Sequence, residues 1–152
     1  MKVLTRDFGE VDINECDIIK FEQPIFGFEN FTDFIMLYDN DFNGEYAWLQ
    51  STQEPNLCFI IANPLLTLNN YNPNCKNEAE KIIGWGEYEY WLIMVVKDDF
   101  RESTVNLKSP VIINLKNNKA MQIILEDDYP IRYQLFKAGK ELKLSLIHIS
   151  EP

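Results

Sequence analysis

The chain has 152 residues, 46% hydrophobic and 13% aromatic, which excludes wholesale disorder and fits one domain whose core needs no disulfide or metal staple. Its formal net charge of -10 repels phosphate backbones, which excludes direct nucleic-acid binding as a main activity and favours encounter with basic partners. Charge alone describes no more than a solvated acidic surface.

Met1-Lys2-Val3-Leu4-Thr5-Arg6-Asp7 holds no apolar signal region, and the longest apolar run, residues 91–96, is far too short to cross a bilayer. A cytoplasmic location without membrane contact is expected. Short apolar and β-branched runs then recur: Val3-Leu4-Thr5, Val11-Asp12-Ile13, and residues 34–38, 47–50, 58–62, 88–96, 111–113 and 121–125. Turn-forming groups separate them, namely Asp7-Phe8-Gly9, Asn43-Gly44, Glu54-Pro55-Asn56, Asn63-Pro64 and Asn117-Asn118. This spacing predicts an all-β chain, folded as a small antiparallel β-barrel-like single domain, because closing the sheet removes its exposed edges.

Asn77-Glu78-Ala79-Glu80-Lys81-Ile82-Ile83-Gly84 predicts a helix of about two turns, with Asn77 as N-cap, acids in the first turn and a glycine just past the end. A second helical turn is expected at residues 29–34, following Gly27. In Thr104-Val105-Asn106-Leu107-Lys108-Ser109-Pro110 a polar, turn-prone start leads into Val111-Ile112-Ile113. Proline has no ladder donor, so Pro110 belongs at the first position of that strand or on an edge.

The folded domain is expected over residues 1–136. Lys137-Ala138-Gly139-Lys140-Glu141-Leu142-Lys143-Leu144 then turns basic and leads into Ser145-Leu146-Ile147-His148-Ile149-Ser150-Glu151-Pro152. Its alternation fits an edge strand. Chain ends are nonetheless the usual place for non-native or disordered segments, and residues 137–152 are assigned to such a tail.

Chemistry finds little support in the residue types. His148 is the single histidine, so the body offers no histidine triad or histidine general base. Cys16, Cys58 and Cys75 form an odd set with no C-x-x-C spacing, which fits three reduced, structural thiols. Carboxylates are numerous, but no pair stands out from a solvated face as an acid–base couple. Asp39-Asn40-Asp41-Phe42-Asn43-Gly44 matches the first half of a calcium loop, yet position twelve falls on Gln50 in place of a bidentate glutamate. Asn43-Gly44 between two strand-like runs is better explained as a turn with positive φ at both residues. Gly84-Trp85-Gly86 lacks the later glycine of a nucleotide-binding loop, and Lys108, Lys116 and Lys119 are not interleaved with a stacking platform.

Surface suited to recognition remains. Phe21, Ile25, Phe26 and Phe28 crowd a segment with Pro24 and Gly27, too irregular to bury every ring by alternation. Glu126-Asp127-Asp128 follows a strand and is suited to meeting a basic partner or to lining a solvated turn.

Several of these pieces stand in one order. Gly9-Glu10-Val11 precedes Ile18-Ile19-Lys20-Phe21 and Ile25-Phe26-Gly27-Phe28-Glu29. Trp48-Leu49-Gln50-Ser51, Pro55-Asn56-Leu57-Cys58-Phe59 and Asn63-Pro64 come next. Thr104-Val105-Asn106-Leu107, Ser109-Pro110-Val111-Ile112-Ile113-Asn114 and Gln122-Ile123-Ile124-Leu125-Glu126-Asp127 complete the series. Together they resemble the FliW family of bacterial flagellar assembly factors over residues 1–136. One departure is Phe21-Glu22-Gln23-Pro24-Ile25-Phe26-Gly27-Phe28-Glu29, where the family usually has F-P-x-G-I-P-G-F-E, so a proline and a glycine are lost and an aromatic is gained.

The resemblance implies a small β-barrel-like protein without enzymatic activity or cofactor, which acts as a monomer in the cytoplasm. It implies two competing protein partners, flagellin and the RNA-binding translational repressor CsrA, so that flagellin level is coupled to flagellin translation. Motif position and expected exposure select Phe26, Phe28, Asn106, Leu107, Glu126, Asp127 and Asp128 as partner contacts. A small-ligand- or calcium-binding β-barrel is the alternative, and an enzyme built on a carboxylate pair is the third class.

Overall fold

Alternation builds the structure, a computed structural model that describes residues 1–136. A hairpin of β1 (Lys2–Leu4) and β2 (Glu10–Asp12) comes first, followed by β3 (Ile19–Gln23), in which Ile19 and Phe21 are buried while Lys20 and Glu22 face solvent. Such a period of two is what a sheet with one covered face demands. β4 (Asp33–Leu37), β5 (Tyr46–Ser51) and β6 (Cys58–Ala62) continue the meander. After α1 (Pro64–Thr67) and α2 (Lys76–Ile83) come β7 (Tyr88–Val95), β8 (Thr104–Val105), β9 (Val111–Asn114), β10 (Lys119–Gln122) and β11 (Tyr133–Gln134).

Seven strands close into a barrel in the order β7, β6, β5, β4, β3, β10, β9 and back to β7. Every neighbouring pair is antiparallel except β3 with β10, which run parallel with Lys20 opposite Lys119 and an irregularity between Ala120 and Met121. The expected all-antiparallel ring is corrected at that seam. A parallel pair needs a long crossover, and here most of the domain lies between the two strands.

Ile19, Phe21, Phe34, Leu49, Ile61, Trp91, Val111 and Ile113 point inward and fill the barrel. Phe21 meets Phe34 edge to face at 5.2 Å between centroids. Two further cores lie outside the ring. Cys75, Ala79 and Ile83 seat α2 on Ile112, Met121 and Leu125, and Leu92, Met94, Val105, Leu107, Leu135 and Phe136 form the other. Ala79 and Ile83 are four residues apart, so one helix face makes the contact.

The expected helix is confirmed with a shifted start: Cys75, not Asn77, occupies the N-cap position, and Gly84 ends the helix at φ 82°. Residues 29–34 form no helical turn, because Asp33 and Phe34 are drawn into β4 by pairing with Lys20 and Ile19. The strand expected over 121–125 runs instead from Lys119 to Gln122. Its regular pairing stops opposite Pro110, which has no N–H to give. Thr104-Val105, expected as part of a turn, pairs with Val95 and Met94 as β8. Pro110, expected at the first position of the strand or on an edge, lies one residue before β9 begins, while Val111, Ile112 and Ile113 are buried as expected. Cys58 and Cys75 are buried, but Cys16 is exposed. His148 and the tail lie outside the described residues.

Candidate functional site

Along β7, Trp91 pairs with Val111 and Met94 with Val105, so two residues, Leu92 and Ile93, stand against the five of 106–110. The surplus chain loops out, and Asn106 organises the loop. Its Oδ1 accepts from the backbone N–H groups of Lys108 and Ser109, both at 3.0 Å, while its own N–H donates to Ile93 O at 3.0 Å. A side-chain carbonyl bonded to the backbone two and three residues ahead is the usual Asx-turn chemistry. Leu107, selected for exposure, is buried at 6%. Its carbonyl accepts from the Tyr71 hydroxyl at 2.8 Å, and its side chain belongs to an outer core. Leu107 is therefore a packing residue, and its placement on the surface is corrected.

A second loop follows β3 at the same barrel end. Ile25 is buried at 2% and anchors it, Gly27 takes φ 88°, and Phe28 N–H donates to Ile25 O at 2.8 Å. A residue with a Cβ is strained at that φ, so glycine sets the turn. Phe26 is left 49% exposed and Phe28 36% exposed. The Phe28 ring rests edge to face on Phe59 at 5.0 Å, whereas none of the described ring contacts involves Phe26.

Gln122 joins the two loops. Buried at 4%, it accepts from Phe26 N–H at 2.9 Å and donates through Nε2 to Ser109 O at 3.1 Å. Its backbone carbonyl also accepts from Gln23 Nε2 at 2.7 Å. Lys108 continues the chain of contacts: its carbonyl accepts from Leu125 N–H at 2.8 Å and its Nζ donates to Asp127 O at 2.8 Å. Glu126, Asp127 and Asp128 are exposed, as is Ile124 at 55%.

Phe26, Asn106 and the acidic turn of Glu126, Asp127 and Asp128 are thus tied into one end of the barrel, with Phe28 beside them. The sequence reasoning missed Gln122, Lys108 and Ile124. Gln122 stands in the quoted Gln122-Ile123-Ile124 motif, but a buried amide linking two loops has no sequence signal of its own.

The calcium-loop lookalike is used otherwise. Asp39 Oδ1 caps a short 3-10 turn by accepting from Asp41 N–H at 2.9 Å, and Asn43 and Gly44 take φ 49° and 84°. Gln50 is fully buried, with Oε1 accepting from Arg6 N–H at 2.9 Å and Nε2 donating to Ser51 O at 3.0 Å and Pro55 O at 3.1 Å. Its amide is thus engaged in the interior and is not offered as a twelfth ligand. Among the described residues no three His, Cys, Asp or Glu side chains are grouped to hold a metal ion. The Lys116 ammonium lies 5.6 Å from the centre of the exposed Trp85 ring. No described helix is long and apolar enough to cross a membrane.

Residues 2–135 match the family model described as FliW protein. The chain belongs to the FliW family. It is 33% identical over 152 residues to the flagellar assembly factor FliW of Caldanaerobacter subterraneus subsp. tengcongensis, covering 97% of this chain and 99% of that one. It is 35% identical over 139 residues to the flagellar assembly factor FliW of Caldicellulosiruptor saccharolyticus, covering 89% and 90%. A crystal structure of the flagellar assembly factor FliW superposes with a TM-score of 0.81 at 30% identity, over 90% of this chain and 98% of that one. The altered FliW loop around Phe26 keeps a defined turn without the lost glycine and proline, because Ile25 anchors it and Gly27 supplies the positive φ.

Proposed function

We propose that this FliW-family chain acts in the cytoplasm as a non-catalytic, monomeric flagellar assembly factor that binds flagellin and, in competition with it, the translational repressor CsrA. Free protein captures CsrA and relieves repression of flagellin translation. Accumulating flagellin occupies the protein and restores repression, an exchange that needs only mass action on a shared pool. The observation that carries the reading is the pairing of exposed rings, Phe26 and Phe28, with the exposed acids Glu126, Asp127 and Asp128 at one barrel end. Apolar anchors beside same-sign charge provide both contact area and steering toward a basic surface.

The test is to mix the purified protein with flagellin and with CsrA and to resolve complexes by size-exclusion chromatography. Two binary complexes, with flagellin displacing CsrA, are expected. Failure to bind either partner, or a stable ternary complex, overturns the exchange.

A further inference from the structure

At the opposite mouth of the barrel, Glu89 stands directly across from Ile113 on the inward face of β7. Two residues on, Trp91 is 2% exposed, and its indole Nε1–H donates to Glu89 Oε1 at 2.7 Å. No other described hydrogen bond or ion pair reaches Glu89, so its second oxygen is unoccupied by protein donors. Glu89 lines a cavity of about 280 Å³ together with Ile13, Asp17, Ile19, Met36 and Tyr38. It also borders a neighbouring cavity of about 330 Å³, walled by Tyr88 and Tyr90.

The geometry selects a ligand chemistry. A carboxylate flanked by isoleucine and methionine side chains attracts a compact cation on a slim aliphatic shank, which buries its methylenes while its head pairs with the acid. A guanidinium gains its advantage by gripping both oxygens of a carboxylate, but one oxygen of Glu89 already accepts from Trp91. An ammonium needs only the other.

We propose that the Glu89 mouth binds an alkylammonium group, carried either by a lysine side chain of a protein segment or by a free aliphatic amine. This site stands apart from the Phe26 end and does not depend on the partners assigned there. If Glu89 serves only as an acceptor for the buried indole, a glutamine at this position does the same work and no amine binds.

The Trp91 indole N–H is a built-in reporter, assignable in a proton–nitrogen correlation spectrum by its loss in Trp91→Phe. The full chain is titrated with n-butylammonium chloride, with n-butanol and n-butylguanidinium as comparators, and separately with N-acetyl-Gly-Lys-Gly-amide. A saturable shift with butylammonium or with the lysine peptide, absent with butanol and weaker with butylguanidinium, is expected. Response to the peptide alone assigns a protein lysine; response to butylammonium alone assigns a free amine. Glu89→Gln keeps the acceptor for Trp91 and is expected to weaken binding about tenfold or more through loss of the charged hydrogen bond. No saturable shift in the unaltered protein, an equal response to butanol, or undiminished binding by a folded Glu89→Gln chain overturns the proposal.

Discussion

Gln122 holds Phe26 in place through its backbone: the buried amide oxygen accepts from the Phe26 backbone N–H at 2.9 Å, while the same amide donates to Ser109 at 3.1 Å. Gln122→Leu keeps similar bulk and leaves a backbone donor and a backbone acceptor without partners. Each orphaned group costs about 1–3 kcal/mol, so a stability loss of at least about 2 kcal/mol is expected by urea denaturation. A loss below about 0.5 kcal/mol contradicts the role given to this amide.

Asn114 plays the corresponding part at the other end of β9. Its Nδ2 donates to Ile83 O at 2.9 Å, with Gly84 O and Trp85 O at 3.2 and 3.3 Å, and so fixes the turn that displays Trp85. A Cβ added at Gly86 lies 2.3 Å from Asn114 Oδ1 and 2.9 Å from its Cγ. Gly86→Ala must therefore displace a fully buried amide. About 1–3 kcal/mol of destabilisation is expected. In a double-mutant cycle with Asn114→Ala the two losses are expected to be less than additive, and strict additivity speaks against the contact.

Phe26 and Phe28 separate recognition from stability. Phe26 is half exposed with no described ring partner, so Phe26→Ala leaves the urea midpoint nearly unchanged while it weakens partner binding by about 1–2 kcal/mol or more, measured by calorimetry. Phe28→Ala also removes the edge contact with Phe59 and is expected to cost about 0.5–1.5 kcal/mol of stability for that pair alone. A Phe26→Ala chain that binds both proposed partners at full strength removes this ring from the interface.

The thiols divide by burial. Desolvation pushes Cys58 and Cys75 from 9.0 up to about 11, against small opposing effects from Arg6 at Cys58 and from Tyr90 at Cys75. Cys16 is exposed. At pH 8 a disulfide reagent is expected to label one thiol per native chain quickly and the other two only after urea is added. Because the folded thiols ionise higher than unfolded ones, their contribution to stability is complete below pH 9 and is lost as pH rises through about 11. The urea midpoint is therefore expected to fall between pH 9 and 11. Rapid native labelling of all three thiols contradicts the burial.

Strands with a strong apolar run are legible in the sequence, and Cys58-Phe59-Ile60-Ile61-Ala62 coincides with β6 at both ends. β8 and β11 are two residues each, too short for any periodicity to register. Residues 29–34 misled because glycine followed by acids imitates a helix start, and only pairing with β3 and β5 decides for a strand. Among the site residues, Phe26 and the acids announce themselves by type. Leu107 does not, because a leucine next to an Asx turn faces water or core according to where the excursion folds, and here Tyr71 and Pro130 hold it inward. Buried amides are the least legible of all, since Gln122 and Asn114 act through partners far away in the chain.

The parallel seam between β3 and β10 also fixes an order of events during synthesis. Lys20 must wait for Lys119, so no stretch of nascent chain that ends before β10 can close the ring. Until then β3 presents an unpaired edge with Ile19 and Phe21 on one face, the kind of exposed strand that associates with neighbouring chains. Closure across so wide a sequence separation is entropically slow. The domain therefore completes its fold only after nearly all of it has left the ribosome, and Lys20 and Glu22, pointing outward from that waiting edge, are the charges that guard it in the interval.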